Sequence, residues 1–168
     1  MPADLSEDAP QWCVLHVKPR CEKKMAGYLA STQFDQYLPL RAETKIYQRR
    51  KVAVEKPVFP GYVFACVSRD RRVLVLKSRL VVHVLEVRDQ AQFMNEIRQI
   101  RLALDVNPAL GACPALTQGE CVRIVSGPFQ GLEGRVKVLK SRTQVVLNVE
   151  GIGQGVAVEV SMDMVERQ

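Results

Sequence analysis

No stretch of this 168-residue chain approaches the ~20 consecutive apolar residues that a membrane-spanning helix needs, so none is expected. Met1 to Pro10 carries Asp4, Glu7 and Asp8 and no basic side chain. A secretory signal needs a positive start and then an apolar run, so no export is expected. The chain has only two histidines, His16 and His83. It has no G-x-S-x-G, P-loop or glycine-rich dinucleotide motif. A cysteine nucleophile would lack its base: Cys13 and His16 fall on opposite faces of one predicted strand. Cys66 lies in the most apolar stretch, where a thiolate is disfavoured. Catalysis is therefore not expected. Nor is a metal, because Cys13, His16 and Cys21 have no paired C-x-x-C to complete a zinc set. The five cysteines cannot all pair, and with no export signal they are read as reduced thiols in a cytoplasmic protein. Internal repeats and low-complexity tracts are also missing.

What is present is a basic half. The net charge is +6, but residues 11 to 104 hold 18 Lys/Arg against 8 Asp/Glu, whereas residues 105 to 168 hold 6 against 7. A positive field concentrated in one half suits a polyanion or an acidic protein surface. The apolar content of 47% suffices for a packed core, and the length allows one ordinary domain or two small ones.

Periodicity supplies the elements. Gln11 to Val17 alternates as a strand, with Trp12, Val14 and His16 on one face and Cys13, Leu15 and Val17 on the other. Cys21 to Thr32 has helical spacing, with Cys21, Met25, Tyr28 and Leu29 aligned. Tyr37 to Val54 reads as a strand pair with a basic tip, Gln48 to Lys51. Within Arg41 to Lys56 there are six basic and two acidic residues. Val58 to Val67 is strongly apolar and bends at Pro60-Gly61 before a central strand, Tyr62 to Val67. A short helix over Arg69 to Ser78, a strand over Val81 to Val87 and a helix over Asp89 to Leu104 follow. Asp89 is its N-cap, with Gln92 three residues on, and Phe93, Ile97, Ile100 and Leu104 form its apolar face.

The order predicts an antiparallel sheet flanked by helices, an α/β sandwich within an α+β protein. Residues 105 to 118 contain Pro108, Gly111 and Pro114 and read as a linker. From Gly119 onward, short strands are expected at Cys121 to Val125, Gly134 to Leu139, Thr143 to Val149, Gly155 to Val160 and Met164 to Glu166. Glycine turns separate them, the pattern of a small β-barrel. The domains are thus a disordered tail over 1–10, a domain over 11–104, a linker over 105–118 and a barrel over 119–168.

Two segments carry a resemblance to a known family. Trp12 to Lys24, with Phe59-Pro60-Gly61-Tyr62-Val63-Phe64, resembles the N-terminal domain of the NusG family. Gly119 to Phe129, with Gly131 to Val136, resembles a KOW motif, which folds as an SH3-like barrel. There Gly127-Pro128-Phe129 would form a tight loop and Gly134 would allow close backbone approach. The resemblance implies a transcription elongation factor that docks on the clamp helices of RNA polymerase's largest catalytic subunit. Such a factor modulates pausing, termination or antitermination. It also implies a KOW partner, either the termination factor Rho or a small-subunit ribosomal protein. His16 and Cys13 depart from the common pattern and point to a specialised, RfaH-like paralogue. An RNA-binding or ribosome-associated KOW protein is the competing reading; the slightly acidic KOW half argues against it. A monomer without a membrane partner is expected.

Residue roles follow from the resemblance. His16, Phe59, Tyr62 and Phe64 match the polymerase-binding patch, where aromatics bury much area at little rotamer cost. The same F-P-G-Y-V-F run would be apolar in any core strand. Lys18, Arg20, Lys23, Lys24, Arg49, Arg50 and Arg79 are candidates for phosphate contacts to upstream or non-template DNA. Ile124, Phe129 and Leu132 are candidates for the KOW partner contact. Gln144 to Val149 and Val156 to Val160 are valine-rich and flanked by glycine. That disfavours the helical hairpin which RfaH-like relatives form there.

Overall fold

The computed structural model describes residues 8–168, so the expected tail lies, as far as residue 7, outside the described residues. The fold is mixed α/β, and two compact units are distinguished. One joins the described residues up to Leu38 to Pro60–Phe93; the other joins Pro39–Phe59 to Met94–Gln168.

The first unit is built on β1 (Gln11–Val17), which alternates as its sequence demands. It pairs antiparallel with β5 (Tyr62–Val67) on one side and β6 (Val81–Glu86) on the other. The short β2 (Asp35–Tyr37) lies outside β5, giving the order β2-β5-β1-β6. One face carries Cys13, Leu15, Val17, Val63, Ala65 and Val67. These bury against Met25 and Leu29 of α1 (Glu22–Ser31) and Val75 of α2 (Arg72–Leu76). Full burial of each large aliphatic side chain contributes about 1.5–3 kcal/mol, which makes this face the energetic centre of the unit. A 3-10 turn, Arg69–Arg71, leads into α2.

The long helix α3 (Gln90–Val106) starts where the sequence marks it: Asp89 Oδ1 accepts the N–H of Gln92 at 3.0 Å. Its expected apolar face is buried at Phe93, Ile97, Ile100 and Leu104. At its start, the Gln90 amide accepts the Trp12 N–H at 2.8 Å and donates to the Trp12 carbonyl at 2.9 Å. A side chain thus pairs with the strand backbone as another strand would, satisfying groups that would be costly to leave open.

The second unit contains the basic hairpin, β3 (Leu40–Tyr47) and β4 (Arg50–Pro57), in register from Leu40↔Pro57 to Tyr47↔Arg50. The turn is tighter than the expected Gln48–Lys51 tip, because only Gln48 and Arg49 lie outside the ladder. A six-stranded antiparallel sheet completes the unit. It comprises β7 (Ala112–Pro114), β8 (Cys121–Ile124), β9 (Glu133–Leu139), β10 (Arg142–Val149), β11 (Gln154–Val160) and β12 (Val165–Arg167), in the order β12-β8-β9-β10-β11-β7. All five strands expected after Gly119 are present within a residue or two. The Gln144 to Val149 and Val156 to Val160 segments are strands, as their valines require. The 105–118 stretch, expected to lack structure, continues α3 to Val106 and supplies β7. The Asn148 amide pins the chain just past β7, accepting the Leu116 N–H at 2.9 Å and donating to the Leu116 carbonyl at 2.8 Å. β7 covers a β11 edge that would otherwise be unpaired.

Candidate functional site

Cross-strand register assembles an aromatic row on the first unit. His16 of β1 stands opposite Tyr62 of β5 and opposite His83 of β6. The rings stack: His16 lies 5.4 Å from Tyr62 at 29° and 6.2 Å from His83 at 21°. His16 and Tyr62 are half-buried and His83 is exposed, so the row is partly open to solvent. The register shifts between His16 and Val17, where β6 carries the extra residue Val82, exposed at the edge. Such bulges re-aim neighbouring side chains. In sequence His83 stands out only as a possible base. Its place in the row depends on the β1–β6 register, which no local pattern encodes.

Tyr62 is aimed by the bend before it. Gly61 takes φ +90°, a region that favours glycine, and its N–H and C=O are both held. A Cβ there would lie 3.6 Å from the His16 ring, in ordinary contact, so strain and not space demands the glycine.

A cationic rim borders this end of the sheet. Lys18 N–H donates to the Leu80 carbonyl at 2.9 Å, bringing the loop after β1 beside the loop before β6. Arg20 and Arg79 sit in these loops, both exposed, at φ +64° and +60°. Non-glycine residues held in this region concentrate at functional sites. Lys23 and Lys24 are exposed on the first turns of α1. Five of the seven expected phosphate-contacting residues thus belong to one unit. Arg49 and Arg50 belong to the other, on the hairpin.

Four expected contact residues are corrected by their burial. Phe59 and Phe64 are only 1% and 0% exposed. Phe64 falls on the sheet face opposite α1, where Phe93 of α3 covers it edge-on at 5.4 Å and Tyr37 stacks at 6.4 Å. Phe93 also meets Trp12 at 6.4 Å. An aromatic gains most from burial where a helix covers its strand. Ile124 and Leu132 are also buried. They flank the β8–β9 loop and close it: Ile124 N–H donates to Leu132 C=O, and Gly131 N–H to Ile124 C=O, both at 2.8 Å.

Phe129, at the tip of that loop, is half-buried. With Pro128, Met162 and Met164 it lines an open groove of about 560 Å³, where Arg142 and Glu159 form an ion pair. Of the cysteines, Cys13 is buried, and burial pushes its thiol up to about 11, the Arg72 guanidinium pulling weakly the other way. Burial also raises Cys66 and Cys113. Among the described residues, no cluster of His, Cys, Asp and Glu could hold a metal, and no helix is long and apolar enough to cross a membrane.

Known proteins share this mixed α/β fold. Residues 10–101 match the family model of the transcription termination factor nusG. The chain belongs to the NusG family of transcription factors. The transcription elongation factor Spt5 of Sulfolobus acidocaldarius is 36% identical over 56 residues, which are 33% of this chain and 37% of that protein. The match therefore spans little more than a third of that relative's length. The solved structure "Domain interaction in Thermotoga maritima NusG" is 22% identical with a TM-score of 0.54, over 96% of this chain and 99% of that one. At that identity the likeness is one of fold.

Proposed function

We propose that this chain is a non-enzymatic transcription elongation or antitermination factor. It docks through Tyr62 and His16, with His83 beside them, on the clamp helices of the largest catalytic subunit of RNA polymerase. The observation that carries this reading is the stacked Tyr62–His16–His83 row, partly open to solvent and bordered by Lys18, Arg20 and Arg79. A partly exposed aromatic row suits the apolar seam of a helical pair, and a central aromatic is the usual anchor of such a contact. The rim then faces upstream or non-template DNA through salt-sensitive phosphate contacts. In this reading Phe64 holds the site up from within, and neither Phe59 nor Phe64 touches a partner.

The proposed division of labour follows the sequence. Residues 11–104 dock on polymerase, 105–118 link, and 119–168 form a KOW SH3-like barrel that recruits Rho or a small-subunit ribosomal protein. The groove beside Phe129 is the recruiting surface, and the factor works as a cytoplasmic monomer. The test is a pull-down of the full chain from lysate with and without Tyr62→Asp. Wild type should retain the catalytic subunits at moderate salt and Tyr62→Asp should lose them, with both melting cooperatively. Equal retention would sink this reading.

A further inference from the structure

His16 and His83 are the two histidines of the chain, and the fold sets them side by side. They are direct cross-strand partners, with rings stacked at 6.2 Å and 21°. Tyr62 stacks on His16 from the other neighbouring strand at 5.4 Å. Imidazole is the side chain whose charge changes between about pH 5 and pH 8. A docking row made of tyrosine alone would present the same surface throughout that range. This row does not, because two of its three rings take up protons.

The groups around the pair are mostly cations. Lys18 follows β1, exposed Arg20 and Arg79 sit in the two loops beside it, and Lys23 and Lys24 are exposed on α1. Tyr62 is the titratable neighbour on β5. From α1 comes Glu22, which is buried and whose Oε1 is occupied by the Gly61 N–H at 2.9 Å. Glu86 of β6 stands opposite Cys13, so it falls on the other face of the sheet, where Arg72 holds it. On the same face as His16, Cys66 and its partner Asp35 stand four residues along β5 from Tyr62, about 14 Å away. α3 meets that far end through Gln90 and Phe93, with Arg88 and Asp89 just before it. Protons on His16 and His83 therefore add to a positive end of the sheet, and the one carboxylate tied to that end by a hydrogen bond is already engaged.

Burying a charge without a partner is costly, so an apolar helical seam that covers the row selects the neutral rings. Two imidazolium ions in adjacent stacked positions also repel each other. We propose that the His16–His83 pair makes docking proton-sensitive: the row engages its helical partner with both imidazoles neutral, and acidification releases it. The inference rests on the docking reading above and adds its regulation. The docked protein binds fewer protons than the free protein, so affinity is greatest at the alkaline end of the range and falls as pH drops. The slope of log affinity against pH counts the protons expelled, and two imidazoles set its limit at two.

The test is the affinity of the full chain for immobilised, purified core RNA polymerase, from about pH 8 to about pH 5.5 at constant ionic strength. Wild-type affinity should fall increasingly steeply toward the acid end, by about tenfold per pH unit for each proton expelled. His83→Phe and His83→Gln cannot take that proton and should lower the limiting slope by one. Combining His16→Phe with His83→Phe should lower it by two. The polymerase's own titration is common to all the proteins and cancels in these differences. Agreement between the Phe and Gln variants assigns the effect to charge and not to the ring, and circular dichroism at both ends of the range checks that each is folded. A flat wild-type profile overturns the inference, and so does a slope that both His83 variants leave unchanged. Tyr62→Asp at about pH 8 separates this inference from the reading beneath it. If that variant binds polymerase as wild type does, the docking reading and the inference fall together. If it loses polymerase while the wild-type profile stays flat, the inference alone falls.

Discussion

Glu22 Oε1 accepts the N–H of Gly61 at 2.9 Å, from the first turn of α1 to the bend before β5. Glu22 is buried, and the carbonyl of Gly61 takes the N–H of Val17 at 2.8 Å. Both backbone groups of one residue are thus fixed by two other elements, and Tyr62 emerges beside His16 as a result. Glu22→Ala leaves a backbone N–H without its acceptor and should cost about 1–3 kcal/mol, whereas Glu22→Gln retains an oxygen and should cost less. Gly61→Ala must hold φ +90° with a Cβ, costing a further ~1–2 kcal/mol. Urea denaturation of the three variants measures this, and equal midpoints for wild type and Glu22→Ala would refute the role given to this bond.

Arg20 and Arg79 should show stability and binding moving in opposite directions. Replacing either by glycine removes the left-handed penalty of about 1–2 kcal/mol, partly offset by glycine's greater freedom in the unfolded chain. The melting point should hold or rise slightly. Affinity for DNA should fall, with the log–log salt slope reduced by about 0.9 per lost duplex contact. A melting point that drops in both variants would mean that these arginines are structural.

Thiol titration should separate the cysteines and set the alkaline limit of stability. In the folded state Cys13 stays protonated up to about 11, against 9.0 for an ordinary thiol. The unfolded chain therefore loses that proton first as pH rises. The stabilisation is full below pH 9 and is lost between 9 and 11, by roughly 2–3 kcal/mol. Cys13→Ser should flatten this alkaline limb. Exposed Cys121 should react with a thiol reagent in the native protein, while Cys13 should react only after unfolding. On the acid side, Arg72 holds Glu86 and Arg123 holds Glu133 below the usual carboxylate value of 4.5. Their contribution is present above that value and fades as pH drops below it.

Gly134 is the position in β9 least able to accept a side chain. A Cβ there would lie 2.3 Å from the Val146 carbonyl oxygen on the neighbouring strand, a backbone atom that cannot swing aside. Gly134→Ala should therefore break the β9–β10 ladder locally and cost about 3 kcal/mol or more, as overpacking against a rigid neighbour does. Gly131→Ala, whose Cβ would meet nothing within 4 Å but needs φ +94°, should cost only the backbone strain. Amide hydrogen exchange across β10 should rise sharply in the first variant and little in the second.

The residue sequence alone determined much of this protein. Alternation in Gln11–Val17 fixed which residues of β1 face the helices, and Asp89 fixed the start of α3. The valines of β10 and β11 fixed strands, and the close approach expected at Gly134 is real. These are local: a period of two, a cap or a missing Cβ acts within a few residues. Tertiary structure decided what covers each face. Phe59, Phe64, Ile124 and Leu132 read as contact residues because an apolar side chain looks the same to sequence whether a helix of its own chain or a partner will cover it. The resemblance groups His16 with Tyr62, but no local pattern adds His83 to them, since the row depends on registers between residues 46 and 67 positions apart along the chain. Pairing at that distance is set by how whole surfaces pack, and no window of neighbouring residues contains it.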